Sequence, residues 1–231
     1  MNPNITALSA ILIQARFSST RLPGKVLHPL CHETVLGMLI KNLTTLNIPI
    51  FVLTSDSESD EPVANYCESH HISYFRGPLE DVALRFARFL ALHPYEYFIR
   101  ISADSPLMDA SLVKTAIQIS EQDSYDLITN VQKRTFPKGQ SVEMVNTRRF
   151  LKVQAELMST EHKEHVTKML YEQPERFSIK NFESGGSFGD IQLSIDTPDD
   201  FRKIETMLHE NQCRSAGWQR WIEIEKSLNH D

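Results

Sequence analysis

The chain has 231 residues, enough for one α/β domain with a sizeable core, and its 41% hydrophobic and 23% charged residues are ordinary for a globular protein in water. A balance of 24 basic against 30 acidic residues gives a formal net charge of -6, which argues against nucleic acid as the main partner. No apolar run approaches the roughly 20 residues of a membrane span, and MNPNITALS lacks the basic start and long apolar centre of a signal peptide, so the expected location is the cytoplasm, away from membranes.

The first predicted element is a short buried strand, Ser9 to Ile13, which runs directly into Gln14 to Lys25, QARFSSTRLPGK. This loop carries Arg16, Arg21 and Lys25 with Ser18, Ser19 and Thr20 between them, three cations and three hydroxyls at one strand terminus. Planar guanidinium groups suit bidentate phosphate contacts, and a lysine supplies a compact point charge. Pro23-Gly24 turns the chain just before Lys25, which aims the ammonium group. The loop reads as a phosphate grip between a strand and a helix, where α/β proteins bind ligands.

Glu33 to Leu46 is predicted as a helix, with Val35, Leu36, Leu39, Ile40 and Leu43 at helical spacing. Pro49 to Ser55 reads as a strand buried on both faces. The alternation continues with a helix over Glu61 to His70, a strand over Ile72 to Phe75, a helix over Glu80 to Leu92 and a strand over Tyr97 to Ser102. A helix opened by an Asp109 cap runs to Glu121, and a strand covers Leu127 to Asn130. Such a pattern predicts a mostly parallel sheet with helices on both faces.

Val131 to Val145 breaks this rhythm as an excursion, with a turn at Phe136 to Gly139 and an extended piece over Ser141 to Val145. Helices are expected over Thr147 to Met158 and Glu161 to Tyr171. Two late strands, Phe177 to Phe182 and Ile191 to Ile195, are joined by a glycine-rich turn that lacks GxGxxG spacing and leads to no helix, so a hairpin or mobile loop is expected there. Helices over Pro198 to Glu210 and Trp218 to Leu228 close the chain. Cys31, Cys67 and Cys213 are odd in number and lack CxxC spacing, so reduced structural thiols are expected, with no disulfide framework and no zinc site. His162 and His165 with Glu161 and Glu164 lack HExxH spacing and read as a solvated helix face.

Two aspartates stand out. Asp104 and Asp196 each end an apolar strand, and each is followed two residues later by proline. Either could serve as a cap or turn residue. Brought to one sheet edge, they would form a hard oxygen pair suited to Mg²⁺ held together with substrate phosphates.

The stretch QARFSSTRLPGK resembles the signature of the cytidylyltransferase family, including its branch that makes CMP-activated acidic sugars and its SpsF-like spore-coat-polysaccharide branch. RISADSPLMD and LSIDTPDDF are similar to the family's strand-end Asp and late Asp-Thr-Pro motifs, which implies that Asp104 and Asp196 bind the metal. Thr54-Ser55, Asp60 and Pro62 resemble the segment after the second strand. Arg76-Gly77, Asp81-Val82 and Arg85-Phe86 resemble the stretch beside the nucleotide, with Val82 and Phe86 also reading as core. Pro137, Gly139 and Glu143, and Glu164 to Thr167, resemble motifs of the acceptor side and dimer.

The resemblance implies a Rossmann-like three-layer α/β nucleotidyltransferase, a single domain over 1–231, dimeric through the 131–145 excursion. It implies attack by an acceptor oxygen on the α-phosphorus of CTP, with Mg²⁺ as cofactor and an acidic sugar as acceptor. Arg16, Arg21 and Lys25 would offset phosphate charge, Gln14, Ala15, Ser19, Arg76, Asp81 and Ser102 would bind the nucleotide, and Glu143 and His165 would lie on the acceptor side. In two places the chain departs from the pattern. Ser141 stands where the SpsF-like run Gly-Leu-Asp-Val-Glu has a carboxylate, and Lys163 stands where an arginine commonly precedes Glu-His-Val-Thr. Both bear on the acceptor, and the first keeps a small phosphate or phosphonate acceptor open. A glycosyltransferase would favour Asp-x-Asp over Ser102-Ala103-Asp104, and a non-catalytic nucleotide sensor would be expected to lose Lys25 or an aspartate.

Overall fold

The apolar run ahead of the basic loop becomes strand β1, Ser9–Gln14, with its first five residues fully buried at the centre of the main sheet. The computed structural model describes residues 5–156 and 159–228. Past the loop come β2 (Pro29–Leu30) and β3 (Glu33–Thr34), an antiparallel pair, then α1 (Val35–Thr44), whose N-cap Thr34 side chain accepts from Gly37 N. The expected helix from Glu33 therefore starts two residues late, because Glu33 and Thr34 are held by Leu30 and Pro29.

The next elements follow the predicted alternation: β4 (Ile50–Ser55), α2 (Glu61–Ser69), β5 (Tyr74–Gly77), α3 (Val82–Leu92), β6 (Tyr97–Ser102), α4 (Ala110–Gln122) and β7 (Leu127–Thr129). Asp109 caps α4 as expected, accepting from Ser111 N. Then β8 (Glu143–Asn146) enters the sheet between β6 and β7, antiparallel to both. The end of the 131–145 excursion is thus buried sheet, since Glu143 to Val145 are enclosed on both sides by strands.

α5 (Thr147–Gln154) is shorter than expected, and the last two residues assigned to that helix, 157–158, lie outside the described residues. The helix expected over Glu161 to Tyr171 is two short ones, α6 (Thr160–Glu164) and α7 (Lys168–Glu172), broken at His165. β9 (Ile179–Asn181), α8 (Pro198–Glu210) and α9 (Trp218–Leu228) complete the chain. The sheet order is β5-β4-β1-β6-β8-β7-β9, parallel except for β8.

Ile191 to Ile195, buried from Leu193 onward, is not a strand, which corrects the expected hairpin. Its backbone bonds go to loop groups, Leu193 N to Lys138 O and Ile195 N to Asp104 O, so the run reads as apolar without joining the sheet. The glycine-rich turn before it is tied to Thr135 through Ser184 N and Phe188 N.

Alternate residues of β1 feed opposite layers: Ile11 and Ile13 meet α1, α2 and α4, while Ala10 and Leu12 meet α3, α5 and α7. A third apolar cluster joins the β2–β3 hairpin, the start of α1, α8 and α9 through Leu30, Val35, Ile204, Leu208 and Trp221. Convergence on this cluster brings Cys31 and Cys213 to a Cα–Cα distance of 6.0 Å, and they form a disulfide across 182 residues of sequence. The expectation of three reduced thiols is thereby corrected, since sequence separation hides a contact made by packing. Cys67 is free and buried, and burial pushes its thiol up to about 12. Among the described residues no helix is long and apolar enough to cross a membrane.

Candidate active site

The carboxyl ends of β1, β4, β5 and β6 lie on one edge of the sheet, because these strands are mutually parallel. A cavity of about 900 Å³ opens there, lined by the basic loop, the residues after β6, part of α6 and Asp196.

The basic loop is shaped from beneath. Asp60 is fully buried, and its Oδ1 accepts from Phe17 N at 2.7 Å and Ser18 N at 3.4 Å while its Oδ2 accepts from Ser55 Oγ at 2.5 Å. Gly24 closes the loop by donating to Phe17 O at 2.8 Å. Its φ is +70°, and a Cβ there would stand 2.9 Å from the Phe17 ring, so both conformation and space call for glycine. The turn delivers Lys25 inward with a side chain only 12% exposed.

Lys25 Nζ donates to Asp104 Oδ2 at 2.8 Å, to Asp196 Oδ1 at 3.1 Å and to Ile195 O at 2.7 Å. Arg21 reaches the same Asp196 oxygen at 3.0 Å, and Arg16 pairs with Glu164 of α6 at 2.9 Å. Every cation of the loop therefore already has a carboxylate, and an incoming polyanion must exchange these partners. Asp196 is itself positioned by Asp200, which accepts from Asp196 N and Thr197 N and completes a capping box with Thr197 at the start of α8.

Of the residues singled out in the sequence, Gln14, Arg16, Ser19, Arg21, Lys25, Ser102, Asp104, His165 and Asp196 line this cavity. Five lie elsewhere. Ala15 is buried beneath the loop. Arg76 holds the chain after β4, donating to Ser55 O and Ser57 O and pairing with Glu61. Asp81 caps α3, its carboxylate accepting from Leu84 N and its backbone carbonyl from Arg85 N. Arg85 is fully buried and donates to Pro78 O and Leu79 O, and burial brings its guanidinium down to about 10.

Glu143, the fifth, lines two smaller cavities of about 310 and 240 Å³. Its oxygens accept from Arg100 at 2.5 Å and from the hydroxyls of Thr167 and Tyr171, each at 2.7 Å. Burial pushes this carboxyl up, but Arg100 and the two hydroxyls outweigh it and hold the group below the ordinary carboxylate range. The same contact with a carboxylate, together with burial, raises the Tyr171 hydroxyl. Arg100 also donates to Gln14 Oε1 at 3.0 Å, which links this cluster to the end of β1. Both oxygens of Glu143 are thus engaged by protein partners. Arg134 donates to Ser141 Oγ at 3.1 Å, and both line the two smaller cavities, with Lys138 at the edge of one.

In α6 and α7, His162 pairs with Glu172, and Lys168 with Glu161 and Glu172, whereas Glu164 and His165, read as part of a solvated face, line the cleft. Sequence reasoning gave no role to Asp60 or Arg100, and it set Glu164 in an acceptor-side and dimer motif, whereas Glu164 pairs with Arg16 of the basic loop. Asp60 and Glu164 lay within motif resemblances, but the partners that define them are 42 to 148 residues away.

Known proteins resemble this chain in sequence and in fold. The profile of the cytidylyltransferase family matches residues 10–224. The spore coat polysaccharide biosynthesis protein SpsF of Bacillus subtilis (strain 168) is 29% identical over 207 residues, 85% of this chain and 84% of the relative. Among solved structures, a cytidylyltransferase from Leptospira borgpetersenii superposes with a TM-score of 0.92 at 24% identity, covering 97% of this chain and 96% of that one. A CMP:2-keto-3-deoxy-manno-octonic acid synthetase complexed with CTP superposes with a TM-score of 0.69 at 15% identity, covering 88% of this chain and 99% of the other, a likeness of fold.

Proposed function

The chain belongs to the cytidylyltransferase family, as a CTP-dependent nucleotidyltransferase, and on that premise we propose that it transfers CMP from CTP to an acidic sugar for surface polysaccharide synthesis. The observation that carries this reading is the meeting of Lys25 with Asp104 and Asp196 at the mouth of the basic loop. The destination of the product is supported by the similarity to the Bacillus subtilis polysaccharide protein.

In this reading the triphosphate lies against the loop, and Arg16, Arg21 and Lys25 exchange their carboxylate partners for phosphate oxygens. An acceptor oxygen attacks the α-phosphorus, the bond to the β-phosphate bridging oxygen breaks, and pyrophosphate leaves with its charge offset by the loop cations. Such chemistry depends mainly on positioning and electrostatics. The donor set around Lys25 Nζ is two carboxylates and a carbonyl, so the ammonium stands where a hard cation suits the oxygens. Asp104 and Asp196 would hold Mg²⁺ in that place, and the bound ion would supply charge neutralisation at the phosphates. Ser19, Ser102 and Gln14 face the same cavity and would contact the nucleotide, whereas Ala15, Arg76 and Asp81 would act by shaping the walls.

The acceptor would enter beside His165 and the Arg134–Ser141 pair, where Arg134 and Lys138 favour an anion. Ser141 supplies no negative charge there, and this favours a second reading in which the acceptor is a small phosphate or phosphonate. A homodimer would use the outer part of the 131–145 excursion, because 142–145 are buried in the sheet. The protein would work in the cytoplasm, where CTP is available.

Incubating the purified protein with Mg²⁺, each nucleoside triphosphate in turn and a panel of acidic sugars and small phosphorylated acceptors, with pyrophosphate release as the readout, tests this function. Turnover with CTP and one acceptor class is expected. Absence of turnover with every pair overturns the reading, and full activity in Asp104→Asn or Asp196→Asn overturns the metal assignment.

A further inference from the structure

Behind the cleft lies a second cluster of metal-ligating side chains, Cys31, His209 and Cys213, whose ligand atoms all fall within 4.8 Å of one another. Cys31 occupies the tip of the β2–β3 hairpin, six residues beyond Lys25, and packs against the third apolar cluster. His209 is on the last turn of α8, and Cys213 follows that helix, with its sulfur 3.9 Å from His209 Nδ1.

Both cysteines adopt left-handed backbone conformations, φ 55° and 54°, at positions where glycine or asparagine is the usual occupant. The backbone preference at these turns does not ask for cysteine, so side-chain chemistry has to account for it. Two sulfurs alone would account for a disulfide. The imidazole within reach of both adds a third donor, and two thiolates with an imidazole form a donor set that selects Zn²⁺ among the common divalent ions.

We infer that Cys31, Cys213 and His209, with both cysteines in thiol form, make a Zn²⁺ site that clasps the hairpin following the phosphate loop to the helix following Asp196. The fourth coordination position is open to solvent, since His209 is exposed. The disulfide is the oxidised, metal-free state of the same site. With a low-molecular-weight disulfide as oxidant, the Cys31 Sγ–Cys213 Sγ bond forms and the small molecule's S–S bond breaks. It leaves as two thiols carrying the two electrons, and the metal ion is released. Either state ties together the segments whose front ends, Lys25 and Asp196, meet in the cleft.

The full-length protein, reduced with a phosphine and freed of metal, is titrated with Co²⁺ in excess Mg²⁺, which keeps the oxygen ligands of Asp104 and Asp196 occupied. Thiolate-to-cobalt charge transfer and tetrahedral d–d bands are expected at one equivalent, and Zn²⁺ should abolish both. Cys31→Ser should lose the signal, Cys67→Ser should keep it, and His209→Ala should bind at least tenfold more weakly. His209→Ala should still form the disulfide on oxidation, which separates a ligand from a structural residue. Oxidised wild-type protein should give no signal. A reduced wild type without the charge-transfer band, or a His209→Ala variant that binds as tightly as wild type, leaves an ordinary disulfide and overturns the site.

Discussion

The two sides of the cleft are built differently. On the donor side, Asp60 and Gly24 fix the basic loop through its own backbone, and Lys25 is nearly enclosed. On the acceptor side, side chains hold side chains: Glu143 of β8 takes Arg100 of β6, Thr167 beside α7 and Tyr171 within it. Backbone-directed bonds fix the donor loop without calling on the side chains that face the cleft. The acceptor wall owes its shape to which residues stand at four separate places in the chain, so a single replacement can reshape it.

The largest expected effect breaks the donor side. Lys25→Ala should lower CTP-dependent pyrophosphate release by about a thousandfold with the melting temperature little changed. Lys25→Arg should fail to restore it, because the pocket bounded by Asp104, Asp196 and Ile195 O fits a point charge. Next is Asp60→Ala, which strands the Phe17 and Ser18 amides and Ser55 Oγ. A loss of about 2 kcal/mol in denaturant unfolding is expected, with a raised KM for CTP. Unchanged stability would remove Asp60 as the organiser of the loop.

The acceptor wall gives a pH test. The Glu143 carboxyl binds its proton more weakly folded than unfolded, so its contribution is complete above the unfolded value of about 4.3 and is lost as pH falls through the lower folded value. Chemical denaturation of wild type and Glu143→Gln should therefore show a stability gap at pH 7 that narrows steadily below about pH 4.3. A gap independent of pH would contradict the ionised state of Glu143. The smallest effect is expected from Arg134→Ala, about a tenfold rise in acceptor KM with the CTP KM unchanged, as suits one partly buried charge-assisted contact.

The same contrast explains what could be read in advance. The donor loop is one contiguous stretch, and its turn chemistry at Pro23-Gly24 and the strands around it follow from local pattern. Asp104 and Asp196 were legible as strand-end carboxylates, although Asp196 follows a buried run that is not a strand. Periodicity reports burial, and Ile195 is buried by Asp104 O and the third core without joining the sheet. β8 was read as extended but not as part of the sheet, since four residues carry too short a pattern to reveal two strand partners. Asp81 and Thr197 carry the same cap chemistry, yet only the second begins a motif that reaches the cleft. The Cys31–Cys213 contact had no local signal at all, being set by how a hairpin and two helices share one apolar cluster.

The reversed direction of β8 has a consequence for how such a protein can diversify. β7 ends and β8 begins on the same rim of the sheet, so the chain from 130 to 142 leaves and returns at one place, pinned by Asn130 Nδ2 to Gln140 O at 2.7 Å and Val142 N to Asn130 Oδ1 at 2.9 Å. Extra residues inserted at the exposed tip at 132–133 would emerge at the mouth of the acceptor cavities and leave the register of every strand intact. Each doubling of such a loop costs only about 0.6 kcal/mol in closure entropy. A change of length at this one spot would therefore remodel the smaller cavities while leaving the basic loop and its partners in place.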